Sequence, residues 1–320
     1  MKRLHTRTKH SAQGSNPVPE ASGASQLVHS GASTGQPKPV VETPVLGLIQ
    51  LWPDPDLESA SHIQTEVDLV AIHGLGGHAY KTWREGEKLW LRDFLPHDVP
   101  TARVLTFGYN AGVAFTQSKS NIRDFATSLL EGIRTFRRRN KEADRKMIFV
   151  CHSLGGIVFK QALVIAHEKE TRYGSIKEAV AGVIFLGTPH RGADIAYWSK
   201  LLAKFANVLT AGKMREDLLK ALAPKSTELG TICSQFVERG MRLQIFSLYE
   251  RHETSGLGSL VVDEFSAILH LPNETPIPME ADHRGLCKYL TPSDSCYRTV
   301  FNCIEELMDS LIETSEQPCR

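Results

Sequence analysis

Ser153 stands in Cys151-His152-Ser153-Leu154-Gly155-Gly156, between two apolar runs, Met147 to Val150 and Ile157 to Ala166. The first run reads as a buried strand and the second as a buried helix. The serine therefore falls at the apex of a tight strand-to-helix turn, the arrangement called a nucleophile elbow. Such a turn strains the serine backbone and lifts Oγ clear of the sheet. Strand and helix nearly touch there, so the positions two before and two after the serine must be small. Gly155 meets this requirement. Cys151 stands where glycine is usual; it is small and tolerates burial, so a slightly wider turn is expected rather than a lost one. The plain alternative is a serine in an ordinary loop, and the hydrophobic flanks favour the elbow.

A serine hydroxyl is a poor nucleophile at neutral pH. It needs a histidine to take its proton and an acid to orient that histidine. In an elbow fold the three follow the chain order serine, acid, histidine. His283, in Ala281-Asp282-His283-Arg284-Gly285-Leu286, lies in a loop after the last expected strand and fits that order. His252 sits beside a strand end and His270 inside an apolar run, so neither fits as well. For the acid, Glu250 directly follows an expected strand and is preferred. Asp263 follows the next expected strand and is the alternative; Asp194 is a third candidate. Asp282 is too close in sequence to His283 to orient its ring. Each of these carboxylates could equally be a solvated loop residue. A glycine-rich turn, His73-Gly74-Leu75-Gly76-Gly77-His78, follows the apolar run Val67 to Ile72. Lacking a following Lys-Ser or Lys-Thr, it does not read as a phosphate loop. With the serine turn downstream it reads as half of an oxyanion hole, whose donors are the backbone N–H groups of Leu75 and Leu154.

These residues need a scaffold of strands feeding loops on one edge. Strands are expected at Leu46 to Trp52, Val67 to Ile72, Ala102 to Gly108, Lys146 to Val150, Ala179 to Leu186 and Leu243 to Tyr249, with another at Ser259 to Val262. Asn121 to Arg139 reads as an amphipathic helix, because Ile122, Phe125, Leu129, Ile133 and Phe136 recur at helical spacing. Arg137, Arg138 and Arg139 at its end complement the helix dipole. The proline-bearing stretch before His283, with Pro272, Pro276 and Pro278, reads as a loop. Tyr297 to Leu311 is the last helix. Strands alternating with helices imply an α/β fold with a mostly parallel central sheet covered on both faces. Residues 193–239 interrupt the alternation with leucine-rich helices. They read as a small helical cap over the active edge, with a core-packing helix pair as the alternative.

The chain has 320 residues, 41% hydrophobic and 23% charged, which suits one large globular domain with its own core. A formal net charge of +1 gives no global field towards nucleic acid. The six cysteines form no CxxC pair and no metal spacing, and no secretory leader is evident. Reduced thiols in an intracellular, cytoplasmic protein are expected, with mitochondrion or endoplasmic reticulum as alternatives. No apolar run approaches spanning length, so any membrane contact would be peripheral. Residues 1–44, rich in Ser, Gly, Pro and Gln, are expected to be a disordered tail. Ordered structure is expected over 45–314 and a frayed end at 315–320.

The chain resembles the α/β-hydrolase superfamily. More narrowly it is similar to the lipase-like group that includes serine-active-site-containing proteins and GPI-inositol-deacylase-like hydrolases. Similar domains stand at the N-terminus of fungal NOD-like receptors. The motifs carrying the resemblance are His73-Gly74-Leu75-Gly76-Gly77 with Thr82-Trp83, Cys151 to Gly156, Phe185-Leu186-Gly187-Thr188-Pro189-His190-Arg191-Gly192, Ser247-Leu248-Tyr249-Glu250, and Ala281-Asp282-His283-Arg284 with Cys287-Lys288. The resemblance implies hydrolysis of a small-molecule or lipid acyl ester, or acyl transfer by the same acyl-enzyme, with no metal and no organic cofactor. A non-catalytic signalling or interaction module that keeps the fold is the rival reading.

Overall fold

The computed structural model describes residues 45–56, 63–111, 122–142, 144–190, 195–209 and 216–316, all within one unit formed by residues 43–320. The expected disordered tail lies outside the described residues; of the end expected to fray, 315–320, Ser315 and Glu316 belong to the last helix and residues 317–320 lie outside the described residues.

The described chain begins with β1 (Gly47–Trp52), β2 (Val67–Ile72) and a 3-10 turn at Lys81–Trp83. A small hairpin of β3 (Arg84–Glu85) and β4 (Lys88–Leu89) leads into α1 (Trp90–Asp93), α2 (Leu95–Asp98) and β5 (Ala102–Gly108). The middle of the chain is α3 (Ile122–Asn140), β6 (Lys146–His152), α4 (Leu154–Glu168), α5 (Glu170–Ala179) and β7 (Val180–Leu186). The last part is α6 (Ile195–Leu209), α7 (Glu216–Gly240), β8 (Gln244–Glu250), α8 (Glu264–Ala267), β9 (Glu274–Met279) and α9 (Ser295–Glu316). The large sheet has the order β1-β5-β2-β6-β7-β8-β9, with β1 antiparallel to β5 and every other pair parallel.

The apolar runs form central strands because helices cover both faces and side chains alternate between them. Val70 and Ile72 of β2, Phe149 and Cys151 of β6, and Val183 and Phe185 of β7 join one core, with α3, α4 and α5. Leu69 and Ala71, Ile148 and Val150, and Ile184 and Leu186 join the opposite core, with α1 and α9. The loops at the C-terminal ends of β2, β6, β7 and β8 thus emerge along one edge of the sheet, and the parallel order makes that edge common to all four.

Three expectations are corrected. The proline-bearing stretch before His283 is not all loop: Glu274–Met279 forms β9, paired parallel to β8. Pro276 and Pro278 disguise it, because proline has no N–H for a ladder. The strand tolerates them because it is an edge and both are exposed. The neighbouring main-chain bonds to β8 come from alternate residues, with Ile245 N donating to Asn273 O and Arg251 N to Met279 O, so the two proline nitrogens fall on the open side. Conversely, Ser259 to Val262 is no strand; Ser259 makes only an isolated bridge to Thr254. Within the segment read as a cap, Leu229, Ile232, Cys233 and Phe236 of α7 are buried in the core they share with α4. α7 thus packs as a core helix, because its apolar face meets α4 rather than open space; Trp198, Leu201, Leu202 and Phe205 of α6 join the same core, and Phe205 also lines the pocket described next.

Candidate active site

The turn from β6 to α4 holds Ser153 at φ 53° and ψ −123°, a left-handed conformation that non-glycine residues adopt only when the surroundings enforce it. Ser153 N–H donates to Leu186 O at 2.8 Å, and Thr188 Oγ donates to Ser153 O at 2.9 Å. A Cβ added at Gly155 would run into the main-chain oxygen of Ile72, so helix and strand are in contact there. Cys151, fully buried between β2 and β7, fits the same crossing, and burial pushes its thiol pKa well up, which makes it a packing residue and not a reactive one.

Glu250 ends β8 and is 1% exposed. Its Oε2 accepts from His283 Nδ1 at 2.5 Å. Its Oε1 accepts the backbone N–H groups of Val261 and Val262, the latter at 3.0 Å. The segment that was expected to be a strand is therefore a loop whose donors hold this carboxylate. The other ring nitrogen of His283, Nε2, is buried and has no partner among the described residues. His283 and Ser153 line one pocket of about 360 Å³, together with Leu75, Gly76, His152 and Phe205. Phe205 of α6 stands 5.7 Å from the His283 ring, centroid to centroid.

Asp263 does not reach this group. Its carboxylate caps α8, accepting from Ser266 N at 3.0 Å and Ser266 Oγ at 2.9 Å. Asp194 lies outside the described residues. Asp282 accepts from Gly285 N at 2.8 Å and stabilises the turn after His283. His252 is exposed against Glu280, and His270 packs beside Phe265. Leu154 is the first residue of α4, where N–H groups have no acceptor within the helix. Leu75 belongs to the turn closed by Gly77 N to Gly74 O at 3.0 Å, and that turn borders the pocket.

Two histidines that sequence reasoning passed over build the frame. His73 is fully buried; its Nδ1 donates to Gly74 O at 2.9 Å, its Nε2 accepts from Tyr109 N at 3.3 Å, and its ring stacks on Tyr109 at 4.4 Å. Burial lowers its pKa to about 4. His152 donates from Nε2 to His283 O at 2.9 Å, and burial, with His283 close by, lowers its pKa to about 3. Both rings therefore stay neutral near pH 7, as their hydrogen bonds require. The signal for His152 was present, a histidine adjoining the turn serine, but its partner lies 131 residues away. Among the described residues, no group of three or more His, Cys, Asp or Glu could hold a metal ion, and no helix is long and apolar enough to cross a membrane.

Residues 64–218 match a family model described as "Putative serine esterase (DUF676)". Among curated proteins, the chain is similar to Protein SERAC1 of Mus musculus, 25% identical over 271 residues, covering 76% of this chain and 39% of that protein. Protein SERAC1 of Danio rerio is 26% identical over 268 residues, covering 76% of this chain and 39% of that protein. The chain thus spans about two fifths of the length of the curated relatives it matches. Among solved structures, Bacillus licheniformis lipase BlEst2 in mature form aligns with a TM-score of 0.49 at 18% identity, covering 76% of this chain and 92% of that one. A lipase-esterase related protein from Clostridium acetobutylicum aligns with a TM-score of 0.45 at 12% identity, covering 82% of this chain and 99% of that one. The sheet order and the strained serine turn between β6 and α4 agree with that family match, and the chain has the α/β-hydrolase fold and resembles the putative serine esterase family over residues 64–218.

Proposed function

We propose that the protein is a serine hydrolase of carboxylic esters, acting through Ser153, His283 and Glu250. One observation carries this reading: a left-handed serine at the elbow shares a pocket with a histidine whose other nitrogen is held by a buried carboxylate. His283 Nε2 takes the proton from Ser153 Oγ as the oxygen attacks the ester carbonyl. Glu250 keeps Nδ1 protonated and stabilises the imidazolium that forms. The backbone N–H groups of Leu154 and Leu75 receive the developing oxyanion. The alkoxide leaves with the proton from His283, and water then hydrolyses the acyl-enzyme by the same route. In the free enzyme the serine–histidine hydrogen bond is often long and tightens with substrate bound, in keeping with the unpaired Nε2.

The substrate class that fits the pocket is an ester with an apolar acyl chain. Leu75 and Phe205 supply apolar wall beside the reacting groups, and each methylene buried there would contribute about 0.8 kcal/mol. Labelling of the full chain with a fluorophosphonate, and hydrolysis of p-nitrophenyl esters from acetate to decanoate below their micelle concentrations, test both parts. Wild type should label and Ser153→Ala should not, with hydrolysis reduced on the order of 10³-fold or more in folded Ser153→Ala. Unchanged turnover in that variant removes the enzyme assignment. A kcat/KM that falls steadily with chain length removes the lipid acyl part and leaves a short-chain esterase.

A further inference from the structure

Lys160 lies in the middle of α4, is fully buried, and has no carboxylate paired with it among the described residues. Its Nζ contacts Pro189 O at 3.2 Å, His190 Nδ1 at 2.6 Å and Cys233 Sγ at 3.5 Å. Three acceptors match the three protons of an ammonium group. The rings of Phe185 and Phe236 flank it, each 5.5 Å from the nitrogen. Burying a cation without a counter-charge is unfavourable, and such sites cluster where function demands them. Burial and the Lys160 charge push the His190 pKa well down, so its ring is the neutral acceptor this geometry requires.

What Lys160 holds is the turn of residues 187–190, and that turn touches every member of the proposed triad's support. Gly187, at φ 57°, donates to Leu248 O at 2.8 Å, and a Cβ placed there would lie 2.9 Å from His283 Nδ1. Thr188 Oγ donates to the main-chain oxygen of Ser153 at 2.9 Å. His190 N donates to Ser266 O at 2.7 Å, and Ser266 is bound by Asp263. Just before Asp263, Val261 and Val262 hold Glu250. One short turn thus lies against the serine, the histidine ring and the segment that fixes the acid. From within the core, Lys160 and the Cys233 thiol reach Pro189 O, and Lys160 also reaches His190 Nδ1.

We propose that Lys160 and His190 are positioning residues: a buried ammonium–imidazole clamp that sets the 187–190 turn and so aligns Ser153 with His283 and Glu250. The proposal rests on the serine-hydrolase reading above. Full-length wild type, Lys160→Met, His190→Phe and His190→Asn are compared for kcat and KM on p-nitrophenyl butyrate, for the rate of fluorophosphonate labelling, and for Tm. An Asn oxygen stands close to where Nδ1 was, so His190→Asn keeps an acceptor for Lys160. Lys160→Met and His190→Phe should each lower kcat and the labelling rate roughly 10- to 100-fold while KM stays within about threefold, the effect of a small misplacement of reacting groups. His190→Asn should stay within about threefold of wild type. A folded Lys160→Met with wild-type kcat overturns the clamp, as does a His190→Asn no better than His190→Phe, or a loss that simply follows Tm across the set. Should Lys160→Met not fold, the contrast between the two His190 variants decides. Wild type that neither labels nor hydrolyses overturns the hydrolase reading itself, and the clamp with it.

Discussion

His152 Nε2 donates to the main-chain oxygen of His283 at 2.9 Å, so the residue beside the elbow serine anchors the loop that carries the proposed base. His283 is thereby held twice, at its backbone by His152 and at its ring by Glu250. His152→Phe should keep the fold but let that loop drift. The expected result is a kcat lowered roughly 10- to 100-fold with KM little changed, and loss or broadening of the low-field proton resonance of the His283–Glu250 hydrogen bond. A His152→Phe protein with wild-type kcat and an unmoved resonance would show the bond to be incidental.

Glu250 and Asp263 were both candidates for the acid, and their surroundings differ in kind. Glu250→Gln can still occupy the site but cannot stabilise an imidazolium, so turnover should drop by roughly 10² to 10⁴. Asp263→Asn keeps a cap oxygen for α8, so activity should be near wild type and stability should change by less than about 1 kcal/mol. Side-by-side p-nitrophenyl ester kinetics and urea melts of the two variants check this; the reverse pattern would move the acid role to Asp263.

Gly74 tests the glycine turn as an oxyanion site. A Cβ there would lie 2.8 Å from the Ser153 Cβ and 3.0 Å from His152 O, so Gly74→Ala must push the turn away from the elbow. Turnover should fall by roughly 10²- to 10³-fold, the usual effect of a displaced oxyanion donor, with the substrate-independent fold intact by circular dichroism. Rates within threefold of wild type would place the second donor elsewhere.

Acid should unfold the protein partly through its buried histidines. The pKa of His73 is lowered to about 4 and that of His152 to about 3, in both cases mainly by burial. A lowered folded-state pKa means the unfolded chain binds more protons once pH drops below the ordinary histidine value near 6.5. Stability is therefore complete above that value and is lost as pH falls towards 4 and then 3. Between pH 6.5 and 5 each such histidine should remove about 2 kcal/mol. Urea midpoints measured from pH 7.5 to 4.5 should decline, and His73→Gln should flatten the decline while lowering the neutral-pH value. An identical pH slope in that variant would exclude His73 as a contributor.

The central strands could be read directly because a strand buried on both faces is a nearly unbroken apolar run, as in Val67 to Ile72. Ser153 and His283 were legible from local context and chain order. Less could be read where a residue's partner is remote. Nothing local says that Val261 and Val262 spend their N–H groups on a carboxylate eleven and twelve positions earlier instead of on a neighbouring strand. Lys160 left a faint mark, a cation inside an otherwise apolar helix, but His190 and Cys233, which complete its contacts, arrive only through folding. β9 was hidden for a different reason: proline content describes donors, and an edge strand needs donors on one side only.

The two prolines of β9 also bear on how molecules of this protein behave together at high concentration. An exposed strand edge is a template on which a second chain can lay a strand and continue the ladder. At Pro276 and Pro278, both exposed at the sheet's outer edge, an incoming strand would meet carbonyls without matching N–H groups. Two missing donors within six residues leave too short an uninterrupted stretch to pair. The sheet is thereby terminated by its own covalent chemistry, and association by edge-to-edge sheet growth is disfavoured on that side.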